Sequence, residues 1–323
     1  MKERIHVPVL WKQVLDEISP QSGDTVVDAT LGSGGYTRSL CERVTPNGVM
    51  IAFDRDKKAI DDFLKKKSLG VFPEMSGMTD EKNLFLIHAN YSDIDIELSE
   101  RNIFSVDGIV ADLGISSDQL LDSEKGLSFL GEHPLDMRLD TQESVPTAYD
   151  IVNTWDEDSL ARMFWKNSQE KHAHTIAQKI IEKRKKSLIR TTKDLSDIIE
   201  SEIFRKHTKI HPATKVFQAL RMEVNREEYH LKIFLEKAIR LLRVGARLAV
   251  VSFHSGEDRL VKECFRVHAR GCICPSSFPL CRCNQKPQVQ LVQKKPICPS
   301  EEEIRINPRS RSAKLRVVEK IYE

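Results

Sequence analysis

The sequence has no run of about 18 apolar residues, so it offers no transmembrane helix. Residues 1–14 lack an apolar stretch followed by a small-residue cleavage site, which argues against a secretory signal. Cysteine is sparse. Seven in 323 residues is too few for a disulfide framework and is an odd number, which fits reduced thiols in a cytoplasm. Charge of one sign is missing too: 50 Lys and Arg stand against 48 Asp and Glu, a net charge of +2. Total charge therefore does not identify a nucleic-acid binder, and only its placement can speak. What the sequence does have is apolar material, 40% of residues, enough for a core, in a chain long enough for one large domain and a smaller one.

Short apolar runs alternate with helical patterns in the first third. Residues 25–29, 49–53, 84–88 and 106–113 read as strands, with helices expected over 37–44 and 57–67. Continuous apolar strands separated by helices predict a parallel sheet covered on both faces, a doubly wound α/β fold. Strand signals then vanish from about 117 to 212. Thr154 with Glu157 reads as a capping box ahead of Leu160, Met163 and Phe164. Thr191 precedes a helix with Leu195, Ile198, Ile199 and Ile203 on one face. This stretch predicts an inserted all-helical domain. A helical region opens at Pro212 and reaches Leu242, with a break near Asn225. A fifth strand is expected over 248–253, a helix over 257–265, and two last strands over 289–292 and 314–318. The domains so read are 1–116, 117–212 and 213–323, the first and last forming one sheet.

The segment from Asp28 to Gly35, DATLGSGG, follows the first strand and opens the first helix. Its glycines permit a tight turn and close approach of backbone to a ligand, and the helix start offers unpaired N–H donors. Thr37 occupies the sixth position of G-x-G-x-x-G, so the dinucleotide fingerprint fails and a single nucleoside fits better. Asp54 ends the second strand, where a carboxylate can accept from both hydroxyls of a ribose. Asp112 ends the fourth, at the carboxyl edge where such sheets bind ligands, and there a helix cap competes with a ligand contact. His254, after the fifth strand, reads as structural rather than as a general base, and Lys183 to Lys186 as a solvated face.

Eight segments in order resemble the bacterial small-subunit ribosomal RNA cytosine-N4 methyltransferases, the MraW family. They are His6-Val7-Pro8-Val9-Leu10, the Asp28–Gly35 loop, Asp54-Arg55-Asp56, the run from Asp112 to Gln119, Pro134-Leu135-Asp136-Met137-Arg138, Phe217-Gln218-Ala219-Leu220-Arg221 with Val224-Asn225, Ser252-Phe253-His254-Ser255, and the stretch from Asn307 to Arg316. The resemblance implies a class I, Rossmann-like methyltransferase sheet with an inserted helical substrate domain. It implies S-adenosyl-L-methionine as cofactor, held at Gly34, Gly35, Tyr36, Asp54, Tyr91, Asp112 and Gln119. Tyr36 stands where the family usually carries His. The implied target is a cytosine in the decoding region of small-subunit ribosomal RNA. That implies a cytoplasmic enzyme working on the small ribosomal subunit, with no DNA or membrane partner and a homodimer left open.

The exocyclic amine of cytosine is a weak nucleophile, so an acceptor aimed at its N–H groups would help, and the base must leave its stack. The chain has no Pro-Pro-aromatic motif after the fourth strand, which leaves Asp112 as the candidate catalytic acceptor, in competition with a role in holding the cofactor. Arg138, Lys215, Arg221, Arg309, Arg311 and Arg316 are the candidate phosphate contacts. A methyltransferase acting on protein or a small molecule, or an assembly factor without turnover, remain alternatives. Cys272, Cys274, Cys281 and Cys283 have a C-x-C repeat that could hold zinc, but the Pro and Gly around them favour a plain loop without metal.

Overall fold

The computed structural model describes residues 8–72, 75, 83–202, 211–272, 274, 278, 280, 282–283 and 286–322. His6, Val7, Ile203 and Cys281 lie outside the described residues. The chain divides into two compact units, Met1–Gly114 with Tyr229–Glu323, and Ile115–Glu228. In chain order the first unit holds α1 (Trp11–Ile18), β1 (Thr25–Asp28), α2 (Gly35–Val44), β2 (Val49–Asp54), α3 (Lys57–Ser68), β3 (Leu84–His88), α4 (Ile94–Ser99) and β4 (Val106–Asp112). The second holds α5 (Ser117–Leu121), α6 (Ala148–Thr154), α7 (Glu157–Ser168), α8 (Ala173–Arg184), α9 (Thr192–Glu202) and α10 (Ala213–Val224). Helix α11 (Glu227–Leu241) returns the chain to the first unit, which closes with β5 (Leu242–Ser252), α12 (Ser255–His268), β6 (Val289–Leu291), α13 (Glu301–Ile306) and β7 (Lys314–Lys320).

The seven strands form one sheet in the order β3-β2-β1-β4-β5-β7-β6. Strands β1 to β5 are parallel, and β7 runs antiparallel to both β5 and β6. The strands are apolar on both faces, and alternate side chains supply two cores. Val26, Met50, Val110 and Val251 face the cluster built with Leu15 of α1, Leu40 of α2 and Phe63 of α3. Val27, Ile51, Ile109 and Val250 face the cluster built with Ile94 of α4, Phe234 of α11 and Phe265 of α12. The apolar runs thus encode a doubly wound sheet.

Strand β5 starts six residues before the expected position because its first part carries no apolar run. Arg243, Val244 and Gly245 are exposed, Gly245 sits at φ 88°, and the pairing with β4 shifts register between Val106 and Gly108. Such a bulge continues the ladder without the period-2 signal.

In the helical unit Leu160, Phe164, Ile176, Ile180, Leu195 and Ile199 share one core with Val216, Phe217 and Leu220 of α10. That packing carries α10 into this unit, whereas the sequence boundary at Pro212 assigned it to the sheet. The capping box expected at Thr154 is also placed differently. Thr154 closes α6, its hydroxyl donating to the Asp150 carbonyl at 2.6 Å, and Asp156 caps α7 by accepting from the Ser159 amide at 2.8 Å. An Asp one residue ahead of the helix makes the shorter link to the orphan amide.

The break near Asn225 is present, with Arg226 at φ 49°. Asn225 is 1% exposed. Its Nδ2 donates to the Met137 carbonyl at 2.8 Å and the Arg221 carbonyl at 2.9 Å, while its Oδ1 accepts from the Leu139 amide at 2.9 Å. It therefore fixes the 137–139 strand of loop to the end of α10. We expect Asn225→Ala to destabilise the protein by about 2–3 kcal/mol by leaving buried backbone groups unpaired. Urea denaturation checks this, and an unchanged midpoint would show that these bonds carry no net stability.

Candidate functional site

Three adjacent parallel strands end in carboxylates: β1 in Asp28, β2 in Asp54 and β4 in Asp112. The turn after β1 wraps around them. Gly32 and Gly34 sit at φ 50° and 81°, a region that L side chains rarely adopt. A Cβ on Gly34 would lie 2.1 Å from the Phe63 ring, so only glycine fits there. Gly34 also leads into α2, whose first amides have no helical partner.

Asp54 accepts from the Gly32 amide and the Asp56 amide, both at 2.8 Å, and so ties the glycine turn to the end of β2. A carboxylate has further lone pairs beyond those two. Asp28 is fully buried, accepting from the Thr37 hydroxyl at 2.7 Å and the Thr30 amide at 3.1 Å. Burial pushes its carboxyl up to about 7, with Asp54 adding to the rise against the hydrogen bonds of Thr37 and Thr30. Asp112 is held by its backbone, its amide donating to the Thr30 hydroxyl at 2.7 Å. Its Oδ1 is buried without a hydrogen-bond partner among the described residues. Burial, then the nearby Asp28 and Glu257 charges, hold its carboxyl well above the usual range.

Further along the same edge, Tyr91 begins a 3₁₀ turn after β3, half-buried, with its ring edge-on to Phe234 at 4.9 Å. Asn90 caps that turn by accepting from the Ser92 amide at 3.0 Å, while its buried Nδ2 has no partner among the described residues. Sequence reasoning missed Asn90, Thr30 and Thr37 as parts of this edge. For Asn90 and Thr30 a polar residue close after an apolar run was the available signal, while Thr37, inside α2, gave none. An orphan acceptor at Asp112, an orphan donor at Asn90 and a backbone cradle at Gly34 suit a polar ligand with both donors and acceptors.

The remaining expected residues are placed otherwise. The Tyr36 side chain is buried and its hydroxyl donates to the Val9 carbonyl, so only its backbone is left for a ligand. Gln119 belongs to the helical unit, where its side chain accepts from the Ser116 amide at 2.9 Å in the capping box of α5. His254 caps α12 in a box with Glu257, the structural role expected of it. Arg138 grips Asp136 with two bonds of 2.8 Å, and Arg221 grips Glu227 at 2.8 and 3.1 Å. Lys215 donates to the Gln169 carbonyl at 2.9 Å. Arg316 donates to Asp258 at 2.6 Å. Only Arg309 and Arg311, on the 3₁₀ turn Pro308–Ser312, are exposed members of the arginine set.

The Asp28 carboxyl has a testable consequence. Its folded value, about 7, lies above the unfolded value of ~3.9, so its contribution to stability is complete below about pH 4 and is lost as pH rises through about 7. Asp112 acts with the same sign. We expect the denaturation midpoint of the ligand-free protein to fall between about pH 6 and about pH 8, and Asp28→Asn to flatten part of that slope. A midpoint that climbs over this window would refute it.

A family model described as the MraW methylase family matches residues 3–321. The chain is 42% identical over 316 residues to a ribosomal RNA small subunit methyltransferase H of Caldicellulosiruptor bescii, covering 98% of this chain and 99% of that one. It is 43% identical over 323 residues to the protein of the same name from Citrifermentans bemidjiense, covering 99% and 100%. Among solved structures, an rRNA methylase from Streptococcus thermophilus matches with a TM-score of 0.39 and 13% identity over 96% of this chain and 93% of that one, too distant to carry an argument.

Proposed function

We propose that this chain, which belongs to the MraW methylase family, transfers a methyl group from S-adenosyl-L-methionine to the N4 amine of a cytosine in the decoding region of small-subunit ribosomal RNA. The observation that carries the reading is the buried Oδ1 of Asp112, without a hydrogen-bond partner among the described residues, at the carboxyl end of β4. The relatives' names supply the substrate class, since they act on RNA of the small ribosomal subunit.

The cofactor would supply an activated methyl group on a sulfonium. The residues around it have separable tasks. Gly34, which has no room for a side chain beside Phe63, and Gly35 at the start of α2 present their backbone to the ligand. Asp54 keeps lone pairs for ribose hydroxyls while Gly32 and Asp56 fix its orientation. Tyr91, steadied by Phe234, offers a ring to flank the adenine, and the Asn90 amide beside it offers a donor. Asp112 accepts from an N–H group, either of the target amine or of the cofactor. When it accepts from the amine, it turns the nitrogen lone pair toward the methyl group, and in its ionised form it takes up the proton released. Gln119 of the helical unit is a further cofactor contact on this reading. Arg309 and Arg311 are the phosphate contacts it favours, because both are exposed on the 3₁₀ turn Pro308–Ser312. The enzyme works on the small subunit in the cytoplasm.

Two measurements test the reading. Asp54→Ala should weaken cofactor binding by about 1–3 kcal/mol, the effect of unpaired hydroxyls, and unchanged calorimetric affinity in a folded variant would remove the assignment. Small subunits treated with the enzyme and labelled cofactor should yield labelled N4-methylcytidine on nucleoside mass spectrometry. Label on carbon 5, on another base or only on protein would overturn the substrate. Loss of product in Asp112→Ala with affinity kept makes Asp112 the catalytic acceptor, and joint loss of both makes it a cofactor ligand.

A further inference from the structure

Residues 269–288 connect α12 to β6 and include the cysteine repeat. The base of this connection is closed by a backbone bond, the Gln288 amide donating to the His268 carbonyl at 2.9 Å. Among its described residues, Phe278 and Leu280 are 47% and 77% exposed. A long connection that exposes such apolar side chains gains from a further constraint to keep one conformation.

The thiols supply one. The sulfur atoms of Cys272, Cys274 and Cys283 all lie within 4.8 Å of one another. The Cys272 and Cys283 sulfurs are 3.7 Å apart, well beyond the ~2.05 Å of a disulfide bond but close to the spacing of two thiolates on one tetrahedral ion. Backbone amides also point at sulfur. The Cys274 amide donates to the Cys272 sulfur at 3.4 Å and the Arg282 amide to the Cys274 sulfur at 3.3 Å. Amide donors on sulfur favour the charged thiolate, the form that binds metal. The fourth cysteine, Cys281, stands two residues before Cys283, as Cys272 stands two before Cys274.

We propose that Cys272, Cys274 and Cys283 bind one zinc(II) ion as a structural site that ties the start of the α12–β6 connection to its later part. Soft thiolates select zinc over the oxygen-preferring magnesium and calcium. Each thiol loses its proton as its Zn–S bond forms, and no electron is transferred.

The test uses the full chain purified under reducing conditions without a metal-affinity tag. Plasma mass spectrometry should find about one zinc per chain, and Cys272→Ser with Cys283→Ser should lower it at least tenfold, while Cys298→Ser should keep it. If the double variant fails to fold, titrating the wild type with an organomercurial still decides, because zinc should be released in step with modification of these thiols. Iron in place of zinc, zinc kept by the folded double variant, or less than about a tenth of an ion per chain after zinc is added to reduced protein and excess removed would each overturn the proposal.

Discussion

The site depends on carboxylates held close together against their mutual repulsion. Asp28, Asp54 and Asp112 end three neighbouring strands, and the register of β1 against β2 and β4 sets that arrangement by backbone hydrogen bonds. The β1 carboxyl sits between the other two strands and is fully buried, and burial pushes it up to about 7, as burial also raises that of Asp112. Asp54 is charge-compensated by two backbone amides instead. The glycine turn exists in its observed form because Asp54 holds Gly32 and because Phe63 leaves no room beside Gly34. Glycine turn, acid cluster and strand register are one construction.

Much of this was legible in the sequence, for a physical reason. Strands buried on both faces must be apolar throughout, so β1 to β4 announce themselves as runs, and a carboxylate directly after such a run can only lie at the carboxyl edge of the sheet. The exposed, bulged start of β5 has no such run and gave no signal. Thr154 and Asp156 are both good caps, two residues apart. Pattern alone cannot choose between them, and the choice fell to the one positioned to reach the Ser159 amide.

The arginines were the least legible part. A guanidinium reads the same in sequence whether it meets a phosphate or a carboxylate. Arg138 lies two residues from Asp136, and its pairing with it depends on Met137 adopting φ 66°, a conformation no residue pattern declares. Arg221 finds Glu227 only because the chain turns sharply at Asn225 and Arg226. Asn225 itself was recognisable as a break, but not as the residue whose amide joins two distant segments.

The division of the chain also dictates an order of events during synthesis. The helical unit, Ile115–Glu228, is one uninterrupted segment and has every partner it needs as soon as residue 228 clears the ribosome. The sheet unit does not. Its β4 must wait for β5 across the whole insertion, and β6 has no neighbour until β7 slips between it and β5. Nascent β1 to β4 therefore present an open strand edge for much of translation, an aggregation-prone interval.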